Sequence, residues 1–218
     1  DAINFIKDEI DATVSYRWSC RMAVCGSCGM MVNGEPKLTC KTSLAEYGDT
    51  VEIEPLANFP IVRDLVVELD GFMDKFKRVK PWMMTAKEEA GRQADMAAAS
   101  TMKEGTNRQS SEDLGAFKQF SMCINCMLCY SACPVAGHDP QFVGPAALAL
   151  GHRYNKDSRD EGGVERLERM MEHDAVWGCT FVGECSEVCP KNVDPAGAIQ
   201  QVKAAAAQHY FKKLIMPK

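Results

Sequence analysis

The feature that most constrains this chain is a cysteine run: Cys123, Cys126, Cys129 and Cys133, the last followed directly by Pro134. The spacing C-x2-C-x2-C-x3-C-P is the bacterial ferredoxin run, in which three cysteines hold one cluster and the fourth ligates a second cluster. Zinc knuckles instead pair two C-x2-C units across a longer gap. A partner run should therefore follow. The segment from Cys179 to Pro190 supplies it, with cysteines at 179, 185 and 189, but valine at 182 where the register calls for a fourth.

Exchanging the fourth cysteines between the two runs gives an assignment. Cys123, Cys126, Cys129 and Cys189 suit a complete [4Fe–4S] cluster. Cys133, Cys179 and Cys185, with apolar Val182 at the vacant corner, suit a [3Fe–4S] cluster. A four-iron cluster with water or hydroxide at one iron is the alternative reading of this second set.

A third group lies upstream. Cys20, Cys25, Cys28 and Cys40 read C-x4-C-x2-C-x11-C, whose first three members have the plant-type [2Fe–2S] spacing. Gly26, Ser27 and Gly29 lie among them, small enough to let backbone N–H groups turn towards sulfur. Histidine ligation of Rieske type is excluded locally, because the first histidine is His138. A zinc site with four cysteine ligands is the alternative here. The three sets use all eleven cysteines. An odd count in tight clusters argues against a disulfide framework and for reduced, metal-binding thiolates.

The rest of the chain sets the frame. A net charge of −5 gives no sign of nucleic-acid binding. No apolar run approaches the roughly 18 residues that would span a bilayer. Asn33-Gly34 between short apolar runs predicts a hairpin, and the alternation Val51–Glu54 predicts a further strand. Ala2–Ile10 is helix-like. A helix is expected over Leu65–Lys80, ended by Pro81, then a poorly packed connection over 85–113. Beyond it, Pro145–Tyr154 and Val164–His173 are short helix candidates. Asp194-Pro195 forms an N-cap followed by proline at the first helical position, opening a helix to about Leu214 with an apolar stripe of Ile199, Val202, Ala206, Tyr210 and Leu214. His152, His173 and His209 read as surface or structural residues. The lysines after Glu187 fit either a solvated helix face or an end turned to an anionic membrane surface.

With these residues in view, the chain resembles the iron–sulfur subunit of the succinate dehydrogenase/fumarate reductase family. The resemblance rests on Ser15–Gly29 (SYRWSCRMAVCGSCG), Arg63–Val67 (RDLVV), Gly144-Pro145-Ala146 and Asp157–Asp160 (DSRD), in family order. It implies an α+β chain, with a plant-type β-grasp ferredoxin domain at 1–64 that lacks its N-terminal strands, a connecting helix and linker at 65–113, and an all-α, bacterial-ferredoxin-like domain at 114–218. It implies a relay in which electrons pass between the FAD of a partner flavoprotein, which interconverts succinate and fumarate, and a quinone, menaquinone or ubiquinone. It implies, too, that the quinone lies near the three-iron cluster, against one or two hydrophobic membrane-anchor subunits, and that the chain is peripheral on the cytoplasmic face of a bacterial inner membrane. No dicarboxylate site is expected on this chain.

Succinate dehydrogenases of the family typically carry a quinone-site tryptophan just after the Cys-Pro pair. Here Val135, Ala136, Gly137 and His138 follow. The resemblance to enteric quinol:fumarate reductases is better: Thr180 and Phe181 after the cluster cysteine, and quinone-site Gln200 and Lys203, one turn apart on a helix. Succinate dehydrogenase is the alternative in the same family. A soluble ferredoxin-like carrier and a zinc-stabilised interaction module are alternatives of other classes.

Overall fold

The structure, a computed structural model, describes residues 1–84 and 109–215. The chain starts with helix α1 (Ala2–Phe5), which continues as a wider π turn over Ile6–Ile10. Strands β1 (Gly29–Val32) and β2 (Glu35–Leu38) form the expected hairpin, registered Gly29 to Leu38 and Val32 to Glu35. Asn33 (φ +48°) and Gly34 (φ +80°) both occupy the left-handed region this turn demands. Strand β3 (Ile53–Glu54) pairs antiparallel with the other edge of β1, giving the order β2-β1-β3. Alternation along the hairpin buries Met30, Val32, Pro36 and Leu38. Leu38 shares a core with Ala23, Cys28, Leu56, Val67, Cys126 and Leu128, which already joins the first cysteine group to the second.

The helix expected over Leu65–Lys80 is shorter. Val66–Val67 is strand β5, paired with β4 (Ile61–Arg63), and only Asp70–Arg78 is helical (α2). Two β-branched residues favour extended backbone, and Asp64 at φ +46° turns the chain back. Most of the connection expected at 85–113 lies outside the described residues. Its end forms α3 (Ser111–Lys118), opened by a capping box between Ser110 and Asp113.

The helical half then follows as α4 (Leu128–Ser131), α5 (Pro134–His138), α6 (Pro145–Asn155), α7 (Gly163–Met170), α8 (Glu184–Glu187) and α9 (Pro195–Ile215). Helix α6 runs through its centre, buried from Pro145 to His152, and α9 packs along it. Asp194 caps α9 as expected: its carboxylate accepts from the Gly197 N–H at 2.8 Å and from the Ser186 hydroxyl at 2.6 Å. That second bond ties the start of α9 to α8. The apolar stripe of α9 divides. Ile199, Val202 and Ala206 are buried, but Tyr210 and Leu214 are exposed because the last turns overhang the core. Helix α7 ends at Met170, before the expected His173.

Two side chains are prominent among the hydrogen-bonded links between the halves. The Asn58 side-chain amide donates to the carbonyls of Tyr130 (3.2 Å), Ser131 (2.9 Å) and Cys133 (3.3 Å), where α4 passes into α5. The Arg166 guanidinium, fully buried on α7, donates to the Lys80 and Trp82 carbonyls, to Asn155 and to both carboxylate oxygens of Asp160. It thereby holds the segment after α2 against the helical half.

Candidate metal centres

None of the eleven cysteines is paired in a disulfide. Cys123, Cys126, Cys129 and Cys189 line one hollow, closed by Ala146, Ala149 and Val193. Cys133, Cys179 and Cys185 line a second, with Val182, Thr180 and Phe181 on its rim and Phe142 and Ile199 at its side. The late cysteine Cys189 thus sits with the first run, and Cys133 with the second. The backbone explains the exchange. Short helix α4 carries Cys129 to one hollow, and Pro134 starts α5 immediately after Cys133, facing the other.

The two cysteine loops repeat the same course. A 3₁₀ turn precedes each (Phe120–Met122 and Val176–Gly178) and a single helical turn, α4 or α8, follows. Between them, left-handed residues fall at matching places: Asn125 (+52°) with Phe181 (+61°), and Met127 (+66°) with Gly183 (+98°). Each non-glycine residue there costs about 1–2 kcal/mol, a strain that persists where the surroundings dictate the backbone. In both loops the residue two after the first cysteine turns its N–H onto that sulfur: Asn125 onto Cys123, and Phe181 onto Cys179 at 3.4 Å. Val182 therefore occupies the place in its loop that Cys126 occupies in the other.

Burial and mutual proximity oppose ionisation of these thiols. Burial raises the thiols of Cys123, Cys133 and Cys129, the last well above its usual range, and raises Cys126 and Cys185 to about 11. Neighbouring cysteines push Cys126 and Cys129 further in the same direction. Such groups become thiolates at neutral pH only against a strong local positive charge, which is what cluster iron supplies. The Val193 N–H, 3.3 Å from the Cys189 sulfur, is placed to stabilise that ligand.

The first cysteine group has a different character. Met22, Val24 and Cys25 direct their N–H groups at the Cys20 sulfur from 3.3–3.4 Å, with Arg21 and Ala23 left-handed to allow it. The Ser27 hydroxyl, 3.0 Å from the Cys25 sulfur, lowers that exposed thiol to about 6. Burial, with Cys28 beside it, raises Cys40. Gly26 and Gly29 serve chiefly close approach: a Cβ on Gly26 would lie 2.6 Å from the Ile124 carbonyl oxygen, and one on Gly29 3.1 Å from that of Cys126. The two loops touch backbone to backbone.

The other expected residues are divided. Thr180, Phe181 and Val182 are exposed at the second hollow. Lys203 is turned towards it, donating to the Cys179 carbonyl at 2.8 Å, so it is not simply a solvated cation. Gln200 has a buried side-chain nitrogen with no hydrogen-bond partner among the described residues. His152 is buried, its ring edge-on to Phe120. Sequence reasoning missed Asn58, whose only signal was its position before an aromatic in a turn.

Two family models match the chain: a 2Fe-2S iron-sulfur cluster binding domain over residues 1–74 and a 4Fe-4S dicluster domain over 119–193. Together with the hollows, they define an iron–sulfur protein with a two-iron ferredoxin-like domain followed by a dicluster domain. Whole-chain relatives narrow this. The chain is 54% identical over its full length to the fumarate reductase iron–sulfur subunit of Mycobacterium tuberculosis and 50% to that of Escherichia coli O157:H7, covering 84% of each. A succinate dehydrogenase iron–sulfur subunit from Coxiella burnetii is 36% identical over 89% of this chain and 78% of its own length. A chain of the Mycobacterium smegmatis Sdh1 complex in the apo form superposes with a TM-score of 0.82 at 25% identity, over 96% of this chain and 84% of that one. The chain belongs to the family of fumarate reductase and succinate dehydrogenase iron–sulfur subunits, the electron-transfer components of those oxidoreductase complexes. Among the described residues no helix is long and apolar enough to cross a membrane.

Proposed function

We propose that the chain relays electrons from a quinol to the FAD of a partner flavoprotein that reduces fumarate. Its ligand sets are Cys20, Cys25, Cys28 and Cys40 for [2Fe–2S], Cys123, Cys126, Cys129 and Cys189 for [4Fe–4S], and Cys133, Cys179 and Cys185 for [3Fe–4S]. The observation that carries this reading is the repeated loop, in which Val182 stands where Cys126 stands, so that one hollow has four thiols and the other three. When bound, the clusters carry single electrons between two-electron partners. The residues set distance and exposure. Gly26 and Gly29 bring the first loop onto the second, and α4 separates the two hollows by one helical turn.

The two ends of the relay differ as its partners would require. Around the first loop Trp18, Met22 and Val24 are exposed, with Arg21 stacked on Trp18 at 4.4 Å. This supports docking of the flavoprotein there. Around the second hollow Trp177, Phe181 and Val182 are exposed, an apolar surface suited to hydrophobic anchor subunits on the cytoplasmic face of a bacterial membrane. Lys203, bonded to the Cys179 carbonyl, and Gln200, one turn earlier on α9, would offer an ammonium and an amide to the oxygens of a menaquinone or ubiquinone. The greater identity to fumarate reductases than to succinate dehydrogenases supports fumarate reduction as the favoured direction.

The test is Lys203→Leu in the assembled complex. A charge-assisted hydrogen bond contributes roughly 1.5–3 kcal/mol, so quinol-driven fumarate reduction should fall roughly tenfold or more. Fumarate reduction driven by a soluble dye should stay near wild type, with cluster EPR signals intact. Equal retention of both activities places Lys203 outside the quinone site.

A further inference from the structure

Tyr130 stands in the chain between Cys129, which lines one hollow, and Cys133, which lines the other. It directly follows Cys129 and precedes Cys133 by three residues, so its backbone links a wall of each. Its ring is buried against Phe59 (centroids 5.0 Å apart) and Phe72 (5.8 Å), in the same core that Cys129, Cys133 and Cys179 pack against. Gly144 closes the remaining side, where a Cβ would come within 2.7 Å of the ring. The only polar atom of this side chain is its hydroxyl, and Lys75 of α2 donates to it.

Lys75 is half-buried, and its ammonium stands 5.0 Å from the ring centroid, at the hydroxyl end of the ring. Among the described residues it has no carboxylate partner; the neighbouring Asp74 is paired with Lys77 instead. Drawing a cation towards a core without a counter-charge is unfavourable. An anionic group nearby offsets that penalty, and an iron–sulfur cluster held by thiolates is such a group. Charge separated by protein rather than water is weakly screened.

We infer that Lys75 sets the reduction potentials of the four-iron and three-iron clusters. This rests on the ligand sets proposed above. Each cluster becomes more negative by one charge on reduction, so a fixed positive charge favours the reduced form and raises both potentials. Tyr130 is the positioning residue: its rigid ring fixes where the ammonium stands.

The experiment is an EPR-monitored redox titration of the assembled complex. Lys75→Met should lower the midpoint potentials of both clusters. Lys75→Arg, which keeps the charge, should hold them near wild type. Lys77→Met, which removes an exposed and paired cation from the same helix, should leave them unchanged. Unmoved midpoints in Lys75→Met with full cluster signals overturn the inference. So does an equal shift in Lys77→Met, or loss of the clusters from Lys75→Met, which would give the lysine a structural role. Absence of a three-iron signal from the wild type would instead refute the ligand sets.

Discussion

Asn58 should control how tightly the two cluster hollows are held. Its amide is the bridge from the first half to three carbonyls at the α4–α5 joint, which carries Cys129 and Cys133. Replacing it with alanine leaves the Ser131 carbonyl without a donor, at about 1–3 kcal/mol, while the Tyr130 and Cys133 carbonyls keep the N–H groups of Cys133 and Gly137. Asn58 is also left-handed, at φ +67°, where alanine adds about 1 kcal/mol. Asn58→Ala should therefore cost about 3 kcal/mol. Asn58→Gly, relieved of backbone strain, should cost about 2 kcal/mol. If clusters escape through local opening of this joint, each 1.4 kcal/mol speeds their loss tenfold. The assay is the decay of the three-iron EPR signal of the purified complex in moderate urea. Acceleration should be roughly a hundredfold for alanine and about thirtyfold for glycine. Equal decay in wild type and Asn58→Ala, or glycine decaying faster than alanine, refutes the reasoning.

Two further outcomes follow from buried charge. Arg166→Met strands the Asp160 carboxylate, 1% exposed, so thermal stability should fall by about 3–5 kcal/mol, partly recovered by adding Asp160→Asn; a calorimetric scan of the assembled complex with no change would contradict the bridging role. For His152, burial and then nearby Lys156 lower the pKa from 6.5 to about 4. The folded chain therefore stays neutral where the unfolded chain takes a proton. Stability is full above about pH 6.5 and declines by roughly 3 kcal/mol as the pH falls towards 4. Urea denaturation at a series of pH values should show His152→Gln flattening that decline.

What the sequence disclosed depended on the range of the interaction. Cluster ligands are close in the chain and spaced by fixed geometry, so Cys123 to Cys133 could be read directly, and the valine at 182 stood out against a strict register. Asn33-Gly34 was legible because few residues accept two left-handed positions. The Asp194-Pro195 start of α9 was legible for the same local reason. Contacts across the fold left no such trace. Val66-Val67 joins a strand because β4 is there to pair with it. Lys203 points to Cys179, 24 residues back in the chain. Tyr210 and Leu214 continue the periodicity of α9 past the end of the core it packs on. Asn58, Arg166 and Lys75 are ordinary polar residues until the carbonyl, carboxylate or hydroxyl they meet is known.

The division of the cysteines into sets of four, four and three is tested most directly by the EPR spectrum of the air-oxidised, assembled complex, for wild type and for Val182→Cys. An oxidised three-iron cluster is paramagnetic. Wild type should show that signal at about one spin per chain, and Val182→Cys should lose it as the added thiolate completes a four-iron cluster. A wild-type complex with full iron but no three-iron signal would contradict the account.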